Sequence, residues 1–417
     1  MTHAETIEYL CRLEATRGWD LKLERVRAAL AALGNPERRY PSVLIAGTNG
    51  KGTVAGLTAA ALQASGSRVG LYTSPHLVHF EERIRTDGVP LATETVVEIV
   101  EQIRSVLDPE SCGLTFFEVA TLIALQAFAD HEVEVAVLEV GLGGRLDATN
   151  AVEPVASAIV SIDLDHQQWL GDSLAEIARE KAGVMRKRRP VIIGAGMADA
   201  ASAALEECAE TTSAEWIPAG IFAGQLGMPG CHMQKNAAVA AGLLDVLARD
   251  IPALGVAAAV RDQAFAALRV PGRMSRFRMG APLVVDGAHN PAAVEALRAT
   301  LAARGEAPYR LVFGALTDKP WPALGRSLAE PAEAVAVVPI ANSRAVAPED
   351  LRAGLGEIPD VRVRSSVQAA VEEFARESSE APVLVAGSLF LVGELYAEAL
   401  QRGGYPDVFA IEEGAVL

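Results

Sequence analysis

Residues 42–53 read SVLIAGTNGKGT, and an alanine-rich stretch carries the chain on to Ser65 and Gly66. A short apolar run closed by glycines and followed by a helical pattern predicts a buried strand, a tight loop and a helix. Glycine lets the backbone turn through positive φ and aim several N–H groups at one point, which is how a loop grips phosphate. The helix N-terminus behind the loop adds partial positive charge, and Lys51 adds a full one against the β- and γ-phosphates. Gly50, Lys51, Gly52 and Thr53 are therefore the expected nucleotide-binding residues. The spacing departs from the usual phosphate-loop pattern, because the glycines lie closer together and Gly52 separates Lys51 from Thr53. Without Lys51, an ordinary glycine-rich turn would explain the stretch as well.

Working outward, DLKLERVRAALAALGNP (20–36) places Leu23, Val26, Leu30 and Leu33 at helical spacing, and Gly34, Asn35 and Pro36 stop the helix. RVGLY (68–72), VEVAVLEV (133–140), VASAIVSI (155–162) and PVIIG (190–194) read as further strands, with a helix over 114–130. After Pro271 and Gly272 a second series begins: APLVVD, YRLVFG, EAVAVV, VRVR and PVLVAG, separated by helix-like stretches. Strands alternating with helices predict mostly parallel sheets covered on both faces. The expected organisation is an ATP-binding α/β domain over 1–271 and a smaller, Rossmann-like doubly wound α/β domain over 272–417. The stretch 210–232 is poorly patterned and reads as loops or short irregular strands.

With 417 residues, half of them hydrophobic, the chain is long enough for two cores. A net charge of −16 argues against nonspecific binding to nucleic acid or an anionic membrane. Cys11, Cys112, Cys208 and Cys231 lie far apart with no metal-ligand spacing, which suits thiols in a reducing compartment. The opening stretch, with Glu5, Glu8 and Glu14, has no apolar run, and nothing approaches about 20 uninterrupted apolar residues. A cytoplasmic protein is expected. Gly141, Leu142, Gly143 and Gly144 imitate a dinucleotide fingerprint, but the last required glycine would fall on Leu146.

Several blocks together carry a resemblance. LERVRAALAALGNP, AGTNGKGT, YTSPHL, LEVGLGGRLDATN, LDHQQWLGDSLAEIAREKAGV, PGR, DGAHNP and GSLFLVGEL run in order from about residue 20 to about residue 395. The chain resembles the folylpolyglutamate synthase/dihydrofolate synthase family of the Mur ligase superfamily, and its bifunctional bacterial members most. The resemblance implies a P-loop ATPase domain of the Mur ligase central type. It also implies an ATP-dependent ligase that activates a pteroate or folate carboxylate as an acyl phosphate, which the amine of L-glutamate then attacks. Its small-molecule partners are ATP, L-glutamate and dihydropteroate or a reduced folate, and a monomer is expected. Magnesium at two sites is implied, with a monovalent cation as a further ion.

The resemblance also assigns residues. Ser74, Glu139 and His166 match metal ligands. Read alone, Ser74 is a turn cap before Pro75, Glu139 an edge ion-pair partner and His166 a structural histidine. Asn236, Arg273 and Asp286 match positions that contact ATP. Lys181 matches a carbamylated lysine (N6-carboxylysine), whereas its own helix reads as placing an exposed lysine beside Glu176 or Glu180. Asp20, Thr115, Phe117, Leu146, Asp147, Ala148 and Thr149 match dihydropteroate-binding segments, with Lys22 where the family has glycine. Phe116 and Phe117 suit a flat pterin ring, or simply the start of a core helix. His289 and Ser388 belong around the glutamate site, with His289 among the catalytic residues beside Lys51 and Lys181. TDKPW (317–321) lacks a second acidic residue after the lysine.

Two other readings share part of this pattern. A Mur-type ligase acting on a cell-wall nucleotide precursor would share the phosphate loop and DGAHNP, but not GLGGRLDATN. A nucleotide-dependent switch would want a guanine-specifying NKxD after a strand, which the sequence lacks.

Overall fold

The computed structural model describes residues 1–17, 22–377 and 379–402. The chain divides into two compact units. One comprises residues 1–225 and 234–266, the other 226–233 and the residues from Ala267 on.

The first unit is built on an eight-stranded sheet. Its strands are β1 (Ser42–Ala46), β2 (Val69–Tyr72), β3 (Ile84–Thr86), β4 (Val89–Pro90), β5 (Val135–Glu139), β6 (Ala156–Ile159), β7 (Pro190–Ile193) and β8 (Glu215–Pro218). The order is β4-β3-β2-β5-β1-β6-β7-β8. From β2 to β8 the neighbours are parallel, while β3 and β4 form an antiparallel edge. β1 and β5 are buried along their whole length, which is why both read as unbroken apolar runs rather than alternating ones.

The helix Phe116–Asp130 is buried on nearly every side, since it packs against the helices His3–Arg17 and Thr93–Val106 as well as the sheet. It begins at a capping box in which Thr115 and Glu118 satisfy each other's backbone N–H groups. The expected helix after Asp20 spans Leu23–Ala32, with Asn35 in the left-handed region beyond it. The stretch 210–232 contains the end of a helix, Asp199–Thr212, and the edge strand β8.

The second unit has a six-stranded sheet of β9 (Ser275–Met279), β10 (Ala281–Val285), β11 (Tyr309–Phe313), β12 (Ala332–Val337), β13 (Val361–Val363) and β14 (Val383–Ala386). Its order is β13-β12-β11-β14-β10-β9. The five expected strands are its parallel members. β9 is an antiparallel edge that folds back on β10 through Gly280, at φ 71°. Leu311, Phe313, Leu328 and Leu351 sit at the centre of its core. Among the described residues no helix is long and apolar enough to cross a membrane.

Candidate active site

In the first sheet the chain leaves β1, reaches β2 on one side, returns to β5 beside β1, and then passes to β6 on the other side. Reversals of this kind open a crevice at the carboxyl ends of the strands, where α/β folds place ligands. The adjacent strands β2, β5, β1 and β6 deliver Ser74, Glu139, the loop Gly47–Thr53 and His166 from those ends.

The loop after β1 enters the helix Lys51–Ala64 with Gly50 at φ 83°. Gly50 is required by space as well as by angle, since a Cβ there would lie 2.6 Å from Oδ1 of Asn236. The buried Asn236 amide therefore rests directly on the loop. Lys51 curls back so that its ammonium donates to the carbonyls of Gly47 (3.1 Å) and Thr48 (3.3 Å).

Glu139 closes β5 and is 5% exposed. Oε2 accepts from the backbone N–H of Ser74 at 3.0 Å. A Cβ on Gly52 would lie 3.3 Å from the same oxygen, so the first turn of the loop's helix faces this carboxylate. A buried carboxylate tolerates such a place only when paired or bound to a cation. His166 starts the helix Gln167–Leu170 from the left-handed region, at φ 52°, and its N–H donates to Oδ1 of Asp165 at 2.8 Å.

Lys181 is not the exposed helix lysine that its neighbours suggest. It is 4% exposed, and its Nζ donates to the Gly47 carbonyl at 3.1 Å. Glu176 is engaged instead by Ser173 and Asp172, and Glu180 by Arg145. Burial first, and then the charge of Lys51, hold the Lys181 amine down at about 7. Its position is set by backbone packed on backbone. A Cβ on Gly144 would lie 2.8 Å from the Lys181 carbonyl oxygen, and one on Gly183 would lie 2.3 Å from Cα of Arg145. GLGGR and EKAG thus meet face to face.

In the second unit, Asp286 directly follows β10 and is buried, accepting from the N–H groups of Met274 and Ala288 at 2.9 Å each. Burial raises its pKa, and the Arg273 guanidinium opposes that rise. His289 bonds through Nδ1 to the Gly287 carbonyl at 2.7 Å. A carbonyl can only accept, so Nδ1 carries the proton. Ser388 caps the helix Leu389–Gln401 by accepting from the N–H of Phe390 at 3.1 Å.

Residues 272–389 match the Mur ligase, glutamate ligase domain family. The chain is 33% identical to the dihydrofolate synthase/folylpolyglutamate synthase of Escherichia coli, over 96% of this chain and 97% of that one. The chain belongs to the dihydrofolate synthase/folylpolyglutamate synthase family. E. coli FolC in complex with DHPP and ADP superposes with a TM-score of 0.85 at 30% identity, covering 97% of this chain and 100% of that one. A bifunctional folylpolyglutamate synthase/dihydrofolate synthase with Mn, AMPPNP and L-glutamate bound gives 0.83 at 31% identity, over 95% and 98% of the two chains.

Family membership gives the site its chemistry. Among the described residues no three His, Cys, Asp or Glu side chains gather into a cage that could hold a metal. Magnesium needs no such cage, because it keeps waters and takes one or two carboxylates together with phosphate oxygens. The buried Glu139 carboxylate facing the phosphate loop fits that demand, with Ser74 beside it.

At the start of the helix Phe116–Asp130, Phe117 is half-buried against Gly141, where a Cβ would meet its ring at 2.4 Å, and 5.9 Å from the ring of Tyr72. Phe116 carries the Arg83 guanidinium 5.1 Å from its ring centre. Asp147 is 1% exposed and accepts from Leu142 N (2.9 Å), Thr149 N (3.0 Å) and Thr149 Oγ1 (2.6 Å). Its carboxylate thereby shapes the turn carrying Leu146, Ala148 and Thr149, and Thr115 likewise serves as a helix cap. Asp20 lies outside the described residues.

The sequence reading missed Ser161 and Asp163, which bind Thr48 and Asn49 of the phosphate loop. Their place straight after β6, beside His166, is the signal that marks them.

Proposed function

We propose that this chain, acting as a cytoplasmic monomer, joins L-glutamate both to dihydropteroate and to reduced folates. The reaction is ATP-dependent amide formation. A carboxylate oxygen of the acceptor attacks the γ-phosphorus and ADP leaves. The glutamate amine then attacks the acyl phosphate, and phosphate departs from the tetrahedral intermediate. The main physical obstacle is the approach of two anions, which fixed positive charge in the site must offset. Magnesium supplies part of that charge when bound. Glu139, Ser74 and His166 are the residues proposed to hold it. Gly50, Gly52 and Thr53 present backbone N–H groups to the phosphates, and Lys51 turns from its own loop carbonyls to the γ-phosphate. Asn236, Arg273 and Asp286 are assigned to the rest of the nucleotide, His289 and Ser388 to glutamate, and Phe117 with the turn 146–149 to the pterin.

The observation that carries this reading is the convergence of the glycine loop, the buried Glu139 and the buried Lys181 at the carboxyl ends of the central strands. The test measures phosphate release with ATP and glutamate, offering dihydropteroate and tetrahydrofolate separately. Turnover of both is expected. Turnover of tetrahydrofolate alone would leave a monofunctional folylpolyglutamate synthase.

A further inference from the structure

We propose that Ser161 and Asp163 are positioning residues that hold the phosphate loop in register with the loop bearing His166. The loop's two residues between its first glycines, Thr48 and Asn49, are stitched to the chain leaving β6. Thr48 N donates to the Ser161 carbonyl at 2.9 Å. Its hydroxyl accepts from Asp163 N (3.0 Å) and donates to Asp163 O (3.2 Å). The Ser161 hydroxyl accepts from Asn49 N (2.9 Å) and donates to Asn49 O (3.2 Å). Each hydroxyl thus uses its one proton and a lone pair on the partner strand's loop. The amide of Asn49 donates to Oδ2 of Asp163 at 3.1 Å, the one bond in the set between two side chains.

This stitching has a consequence for the reaction. Asp163 stands three residues before His166, so a shift of one loop carries the other with it. Phosphate oxygens and the cation must be held together to a fraction of an ångström for the transfer to proceed. The latch sets that spacing by joining the two loops to each other.

The inference rests on the assignment of Gly47–Thr53 to ATP, and the test separates the two. Steady-state ADP release is measured while ATP and magnesium are varied, with thermal melting as a check on folding. In Asp163→Ala the KM for ATP and the half-saturating magnesium should rise together, by about threefold to tenfold, the scale of one lost hydrogen bond. Asp163→Asn keeps an oxygen for the Asn49 amide and should stay within about twofold of the native enzyme. Asn49→Ala should reproduce the shift, and the double variant should add little to it. If Asp163→Ala does not fold, Ser161→Ala carries the same test. Unchanged magnesium and ATP requirements, independent effects at Asn49 and Asp163, or no rescue by asparagine would each overturn the proposal. Unchanged ATP binding in Lys51→Ala would overturn the loop assignment and the latch together. Normal dependence on Lys51 with a silent Asp163→Ala would overturn the latch alone.

Discussion

Lys51 and Lys181 donate to the same oxygen, the carbonyl of Gly47, each at 3.1 Å. Two ammonium groups on one acceptor repel, and a buried site gives them little water to screen the repulsion. The arrangement favours a state in which one of them has lost its charge. Lys181, the more deeply buried, is the one held down at about 7.

A neutral amine is the form that reacts with CO2, giving a carbamate and releasing one proton. For Lys181 that form dominates above about pH 7 and is lost as the pH falls below it. The product is an anion, which turns the repulsion with Lys51 into attraction. The native protein should therefore carry the mass of one added CO2. Enzyme prepared free of CO2 should be weakly active and recover with bicarbonate, faster at pH 8 than at pH 6. Lys181→Ala should be nearly inactive and partly rescued by acetate. Full activity in protein of unmodified mass would end this assignment.

Lys51→Ala removes the loop's full positive charge while leaving its glycines in place. A charge-assisted contact of about 1.5–3 kcal/mol is lost, so ATP affinity should fall tenfold or more. Calorimetric titration of the folded variant with ATP reads this directly, and native-like affinity would rule out the phosphate-loop assignment.

Lys181 also shows what the sequence carries and where a reading of it fails. Ile177 and Ala178 are buried on the same helix face, four and three residues before Lys181. That spacing puts the lysine on the apolar stripe, yet charge alone suggests solvent. The central strands β1 and β5 were legible because burial on both faces leaves an unmistakable apolar run. The edge strands were harder. β9 is half-exposed and reads SRFRM, and β3 and β4 are short, although Asp87 and Gly88 between them, at φ 50° and 79°, are a strong hairpin signal. The contacts of Ser161 and Asp163 with the phosphate loop join residues more than a hundred positions apart, so their place after β6 marks the segment but not its partners.

Glu139→Gln keeps the shape of the side chain and an oxygen for the Ser74 N–H, so fold and ATP binding should survive. Turnover should not, because a neutral amide is a poorer magnesium ligand and offsets none of the cation's charge. The diagnostic is kcat across a magnesium titration, and near-native kcat at moderate magnesium would remove Glu139 from the metal site.

The choice of acceptor should be read at Phe117 rather than at Asp147. Asp147→Ala would strand the buried N–H groups of Leu142 and Thr149, at about 1–3 kcal/mol for each unsatisfied group. A loss of about 2 kcal/mol lowers Tm by about 4–8 °C in a domain of this size. Dihydropteroate and tetrahydrofolate turnover should therefore suffer alike in that variant. Phe117 instead offers a half-buried ring face, backed by Gly141 and flanked by Tyr72, that a pterin can stack on. Aromatic stacking contributes about 0.5–1.5 kcal/mol beyond area, so Phe117→Ala should raise KM for dihydropteroate by roughly threefold to tenfold. Tetrahydrofolate, whose fully reduced ring is puckered and stacks less closely, should change less. Equal effects of Phe117→Ala on both acceptors would place the dihydropteroate wall elsewhere. A selective effect of Asp147→Ala at unchanged Tm would return that carboxylate to the substrate.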